Sequence, residues 1–249
     1  AKRSLKKTWY RRIALGKSAG IVVPGERLEE AALVDWQQPM GRVKRISPGI
    51  DTKTFAKKPK RDGFRLIKHP GEAWVGVWPE GADTDGLKML VHAFAEMGPE
   101  WQLIILGEDV RSDAIEIEID RLELVDRVYF PGIPRDRTKV IGLFDIFVQT
   151  APARAFPLHV AEAMASGVPI LAVRDGETEH LLAQANHEWL FDSGAQGTLA
   201  ANLRSLAENK QLRSAIGEAN RLRAVQELDK AKTSAAFRRL YASAMKREF

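Results

Sequence analysis

A parallel β-sheet covered by helices on both faces is the fold class this sequence predicts. Three observations predict it. From residue 72 onward, short apolar runs alternate with longer segments of helical periodicity, the pattern of repeated β–α units. Runs such as "LIILG" (103–107) and "IFVQT" (146–150) are apolar without alternation, as strands buried on both faces must be. The joints between segments carry Gly, Pro, Asp and Ser where helices start and stop.

The elements follow in order. Residues 4–16 read as an amphipathic helix, with Leu5, Trp9 and Ile13 on one side and Tyr10 beside them. "AGIVVP" (19–24) is a β-branched run closed by proline, hence a strand. Residues 26–36 read as a helix and "RVKRISP" (42–48) as a strand. "GIDTKTFAKKPKRDG" (49–63) holds two glycines, a proline and clustered lysines, and reads as the linker. "EAWVGVWP" (72–79) is a strand, and "DGLKMLVHAFAEM" (85–97) is a helix with Leu87, Leu90, Val91 and Phe94 as its buried stripe. "WQLIILG" (101–107) is a strand. "SDAIEIEIDRLEL" (112–124) is a helix by its length, its Ser112 cap and its acidic content. "RVYFPG" (127–132) is a strand, "RDRTKVIGLF" (135–144) a helix and "DIFVQT" (145–150) a strand. "PLHVAEAMASG" (157–167), "VPILAV" (168–173), "ETEHLLAQA" (177–185) and "EWLF" (188–191) continue the alternation as helix, strand, helix and strand. Helices fill most of 196–247.

Composition narrows the function classes. There is no cysteine, which excludes a disulfide scaffold, a thiolate zinc site and a cysteine nucleophile. No apolar run reaches the roughly 18–20 residues that span a bilayer. The basic start is interrupted by charge and is neither a signal peptide nor a membrane span. A cytoplasmic location is expected. The net charge of +5 hides an asymmetry, because residues 1–70 hold 18 Lys and Arg against 6 Asp and Glu. Those basic residues could bind nucleic acid, an anionic membrane (as a peripheral contact) or an acidic partner, or form a solvated helix face. No specific nucleic-acid partner is expected.

In a parallel sheet of this kind, ligands sit at the carboxyl ends of strands beside a topological switch point. The candidate loops are 77–85, 107–112, 131–136, 150–157 and 173–178. There is no G-x-G-x-x-G after the first strand of the α/β region, no Walker A sequence and no G-x-S-x-G elbow. The five histidines are scattered, so no metal site is indicated. Loop 150–157 differs from the others. A helix opening near Pro157 points free N–H groups and a positive dipole end at it, and such a terminus suits phosphate. Proline fits the first helical position, where its missing N–H costs nothing.

"EAMASGVPILAV" resembles the E-A-M-A-x-G-x-P signature of retaining glycosyltransferases of the GT4 type, which have the GT-B fold. "VKRISPGIDTKTF", "WVGVWPEGADTDGLKMLVHAFAEM", "WQLIILGE" and "RVYFPG…LFDIFVQT" resemble further segments of that family, in its order and spacing. The resemblance covers about residues 19–245. It implies a Rossmann-like domain that binds a nucleotide sugar (UDP-, GDP- or ADP-linked) at residues 51–228. It also implies a remnant of the amino-terminal GT-B domain at 1–50 and a carboxy-terminal helical segment at 229–249. The acceptor-binding half would be missing or carried by a partner chain. The implied chemistry is transfer of a sugar (a hexosyl group) with retained configuration, without a cofactor or metal.

The resemblance assigns donor contacts residue by residue. Glu162 stands where the family's ribose-binding glutamate stands. Arg154, eight positions earlier, replaces the family's sugar-contacting glutamate. The family's G-F-G becomes Ala155-Phe156-Pro157, followed by Leu158 and His159 in the first helical turn. Val77, directly after Gly76, replaces the phosphate arginine, and Asp85-Gly86 stands where the family has Lys-Gly. Ile133 and Pro134 occupy the loop of the nucleobase contacts. Trp74 and Trp78 flank Gly76, and Trp78 is open to ligand stacking or to burial. Arg154, or Arg174 after the next strand, is a candidate to restore charge. Losing one transition-state contact of this kind typically costs about 3 kcal/mol. Two functions therefore follow from the resemblance: a glycosyltransferase with a divergent donor site, or a non-catalytic binding or scaffolding module on the same fold.

Overall fold

The computed structural model of the chain describes residues 5–79 and 83–245, with the Leu5 side chain left out. Residues 80–82 of candidate loop 77–85, the first four residues and the last four of the predicted carboxy-terminal segment lie outside the described residues.

The chain opens with a small unit: α1 (Leu5–Gly16), β1 (Ile21–Val23), α2 (Glu26–Glu30) and β2 (Val43–Arg45). Its two strands pair in parallel, and Ile21, Val23, Ala32 and Val43 form a separate core. The expected helix 26–36 is not uniform. After Glu30 it widens into a π-helical turn, Ala31–Asp35, in which the Trp36 N–H reaches the Ala31 carbonyl at 2.9 Å.

The expected linker is a packed joint. It contains α3 (Thr52–Phe55), capped by the Asp51 carboxylate on the Thr54 N–H at 3.1 Å, and it buries Ile50 and Phe55. The final helix begins against this joint. Lys230 bonds Asp51 at 2.6 Å and holds its carboxyl down to about 2.

The main domain supplies β3 (Ala73–Val77), α4 (Thr84–Phe94), β4 (Trp101–Leu106), α5 (Asp113–Arg121) and β5 (Val128–Gly132). Then come β6 (Ile146–Gln149), α6 (Leu158–Ala165), β7 (Ile170–Val173), α7 (Gly176–Leu181) and β8 (Leu190–Phe191). Three helices close it: α8 (Gln196–Glu208), α9 (Lys210–Glu227) and α10 (Lys230–Met245). The six strands lie in the order β5-β4-β3-β6-β7-β8, and every pairing is parallel. The sheet is a Rossmann-like α/β fold, as expected. Alternate residues of one strand serve opposite faces. Val75 and Val77 join Leu87, Leu90 and Phe94 of α4 and Leu203 of α8, whereas Trp74 joins Phe144, Phe147 and Met164 of α6.

Two further expected helices differ: 177–185 ends at Leu181 and gives way to the 3₁₀ turn Gln184–Trp189, and the other precedes β6. Residues 135–144 form two 3₁₀ turns, Arg137–Lys139 and Ile141–Leu143, rather than a helix. Phe144 then turns extended, with ψ of 141°, and its ring packs over Gly76.

Candidate functional site

The chain runs outward from β3 to β4 and β5, then returns to the other side of β3 as β6. The strand order therefore reverses between β3 and β6, and the loops leaving their carboxyl ends, 78–83 and 150–157, flank the switch point.

The second loop opens α6. Pro157 takes the cap position rather than the first helical position, with φ of −78° and no side-chain cap. The first-turn amides thus keep their donor character toward the loop. One turn further in stands Glu162, only 2% exposed. Its Oε1 pairs with Arg137 Nη2 at 2.8 Å, and its Oε2 lies 3.5 Å from Nδ1 of His159. Both Oε2 and Nδ1 are buried without a hydrogen-bond partner. The Trp78 ring stacks on the His159 ring at 4.0 Å and 7°. Residues from β3's end, the 137–139 turn and α6 are thereby gathered around one buried carboxylate.

The first loop is built differently. Asp83 caps α4, accepting from the Gly86 N–H at 3.1 Å and from the Thr150 hydroxyl. Asp85 is exposed in the first turn. A cleft of about 490 Å³ opens beside these residues, lined also by Lys88, His92 and Gln196. This helix start already holds its own carboxylate.

The 150–157 loop is fixed from both sides. The Ala153 N–H donates to Asp175 at 3.1 Å, and Arg27 of the small unit donates to the Ala153 carbonyl at 2.9 Å. Glu177 reciprocates across the same cleft, accepting from the Arg27 backbone N–H at 2.9 Å. The Glu177 carboxylate lies close against Gly25, where a Cβ would meet it at 1.6 Å. The cleft between the small unit and the main domain measures about 310 Å³, and Phe156 lines it with Arg45, Ser47, His180 and Lys232.

The residues singled out in the sequence separate accordingly. Glu162 and His159 come together, and Pro157 and Leu158 lie at the start of the same helix. Arg154 is exposed on the loop, and Ile133 (exposed) and Pro134 (buried) sit on the segment leading to Arg137. Gly76 and Val77 belong to the core: a Cβ on Gly76 would lie 2.3 Å from the Phe144 ring, and Val77 is fully buried. Arg174 is engaged by Glu179 at 3.2 Å and by Asp192 at 3.8 Å. Trp78 stacks on a protein ring, His159, and Trp74 is buried. Three participants were missed. Arg137 had no motif to mark it, because its partner lies 25 positions away. Asp83 was legible in "DTDG", an Asp three residues before an amide it can cap. Arg27 had no signal at all. Among the described residues, no three His, Asp or Glu side chains gather as a metal-ligand set.

The family described as glycosyl transferases group 1 matches residues 75–223, more than half of the chain and all of the switch-point region. The chain belongs to this family. N-acetyl-alpha-D-glucosaminyl L-malate synthase of Bacillus anthracis is 23% identical over 154 residues, which are 61% of this chain and 40% of that protein. Lipopolysaccharide core biosynthesis mannosyltransferase LpsB of Rhizobium meliloti is 28% identical over 155 residues, 57% of this chain and 44% of that protein. The chain thus matches less than half the length of these curated relatives. Among solved structures, Anabaena HepE in complex with UDP superposes with a TM-score of 0.83 at 19% identity, over 97% of this chain and 69% of that one. That likeness establishes the GT-B type of fold for this group 1 glycosyltransferase family member. Among the described residues, no helix is long and apolar enough to cross a membrane.

Proposed function

We propose that the chain is the donor-binding half of a retaining, GT4-type glycosyltransferase whose diphosphate subsite has been rewritten. The observation that carries this reading is the Glu162 carboxylate: buried, held by Arg137 through one oxygen, and without a hydrogen bond at the other, which lies 3.5 Å from His159 Nδ1. A buried polar atom without a partner calls for an explanation, and a ribose hydroxyl is a donor of the right kind. Family membership and the HepE complex with UDP support a nucleotide sugar as the ligand.

In this reading the departing nucleoside diphosphate is stabilised at the α6 start. The uncapped first-turn amides and the Arg137 guanidinium supply the positive end, in place of cations on the β3–α4 loop. The acceptor enters from the cleft lined by Phe156. Residues 1–50 are the last part of the acceptor-side domain, 51–228 the donor domain and 229–249 the carboxy-terminal segment, whose helix α10 starts against Ile50 and Asp51 and crosses back. The remainder of the acceptor side is carried by further sequence or by a partner chain.

Calorimetry with UDP, GDP and ADP tests the reading. At least one of the three binds at submillimolar concentration if it holds. No heat with any of them at millimolar concentration contradicts it and leaves the non-catalytic scaffold on the same fold.

A further inference from the structure

The corner of the site around Glu162 holds two buried atoms in want of a partner. Arg137 takes Oε1 of the carboxylate and leaves Oε2. Nδ1 of His159, one helical turn earlier, lies 3.5 Å from Oε2, and neither atom has a hydrogen-bond partner. That separation is longer than an N–H···O hydrogen bond, so the two atoms do not satisfy each other. The His159 ring is also held from outside its own helix. The Trp78 ring, at the end of β3, lies parallel to it at 4.0 Å and 7°. The edge that His159 turns to Glu162 is therefore fixed from β3 as well as from α6.

Chemistry says what answers both atoms. A carboxylate oxygen only accepts, and Nδ1 also accepts when the ring proton sits on Nε2. Two neighbouring buried acceptors call for two donors. A single hydroxyl reaches one of them and leaves the other orphaned. Two vicinal hydroxyls on one ring reach both, since their oxygens are separated by a gap of similar size. The ribose of a nucleotide carries such a pair at its 2′ and 3′ positions. A phosphate does not fit here, because it brings acceptor oxygens and negative charge to a carboxylate.

We propose that the His159 side chain is a second ribose contact beside Glu162, and that the two together select a nucleotide carrying both hydroxyls. The inference rests on the donor reading above and adds to it a further side chain and a specificity. One hydroxyl donates to Oε2 and the other to Nδ1. The Trp78 and His159 rings are both partly exposed, and a small turn of the pair admits the sugar.

Calorimetry of the full chain with UDP, GDP and ADP, each also in its 2′-deoxy and 3′-deoxy form, tests this. The wild-type chain binds at least one of the three parents, and binds each deoxy form of that parent about tenfold more weakly. His159→Phe keeps an aromatic ring against Trp78 and removes Nδ1. That variant binds the parent about tenfold more weakly than the wild type does. It also responds to the loss of only one hydroxyl, the one that Glu162 holds. Three results overturn the proposal. If both deoxy penalties are the same in His159→Phe as in the wild type, whatever the overall affinity, His159 is packing and the donor site stands without it. If the wild type binds a parent nucleotide with no penalty for either deoxy form, the pair does not read the ribose. If no nucleotide binds at millimolar concentration, the donor reading itself fails and this inference fails with it.

Discussion

Two helices begin at the same switch point, and their starts are opposite in charge. α4 opens on Asp83, whose carboxylate fills the cap and also binds Thr150. α6 opens on Pro157, which has no polar side chain to cap the helix, and it is followed by a buried carboxylate gripped by Arg137. The dipole end is equally positive in both. What differs is whether the chain itself has already satisfied it. A helix start that carries its own anion has little to offer a phosphate, and one that leaves its amides open has much. The family likeness draws attention to both loops, whereas the local chemistry favours one.

This contrast can be broken by substitution, starting with the largest effect. Glu162→Leu removes the acceptor of a buried ion pair and leaves Arg137 and His159 facing apolar surface. A loss of about 2–3 kcal/mol of stability is expected in denaturant titration, tempered because Arg137 is partly exposed. Gly76→Ala forces a Cβ into the Phe144 ring at 2.3 Å. It should cost about 1–3 kcal/mol by the same measurement, with the site's own residues untouched. Asp83→Ala sharpens the contrast directly. It loses a cap worth about 1 kcal/mol, yet it should raise the affinity for inorganic pyrophosphate severalfold, because a carboxylate leaves an anion-ready terminus. Unchanged pyrophosphate affinity in that variant would mean that the carboxylate is not what closes the α4 start.

The smallest effect concerns the joint behind the site. Asp51 has its carboxyl lowered from 3.8 to about 2, first by its bond to Lys230. A depressed folded-state value gives stability that is fully present above about pH 3.8 and is lost as pH falls toward 2. The Asp229 carboxyl, lowered by the Thr52 hydroxyl, acts in the same direction. Weakened docking of α10 on the 49–55 joint is therefore expected in that window. Exchange rates of the Lys230 amide, bonded to the Ile50 carbonyl, would report it.

The sheet was legible because each of its strands announces itself within a few residues. "LIILG" and "IFVQT" need only their own apolarity to be placed as buried strands, and both are. The misread segment lacked that independence. Val140, Ile141, Leu143 and Phe144 have spacing that a helix could use. Their partners lie far along the chain, among them Gly76, some 65 positions earlier, whose bare Cα gives the Phe144 ring room. The site shows the same division. Glu162 and His159 lie one helical turn apart, and Glu162 is singled out by the family resemblance of "EAMASG" and not by spacing alone. Arg137, Trp78 and Arg27 reach the region through tertiary packing, and no spacing in the chain announces such partners. Asp83 is the exception, because "DTDG" carries its capping signal locally.

In the proposed donor site a nucleoside diphosphate is held at the α6 start and not at the α4 start. Amide hydrogen exchange with and without saturating UDP tests it most directly. Added protection is expected at residues 158–162 and 133–137, with none at 84–87. Protection at 84–87 with none at 158–162 would contradict it.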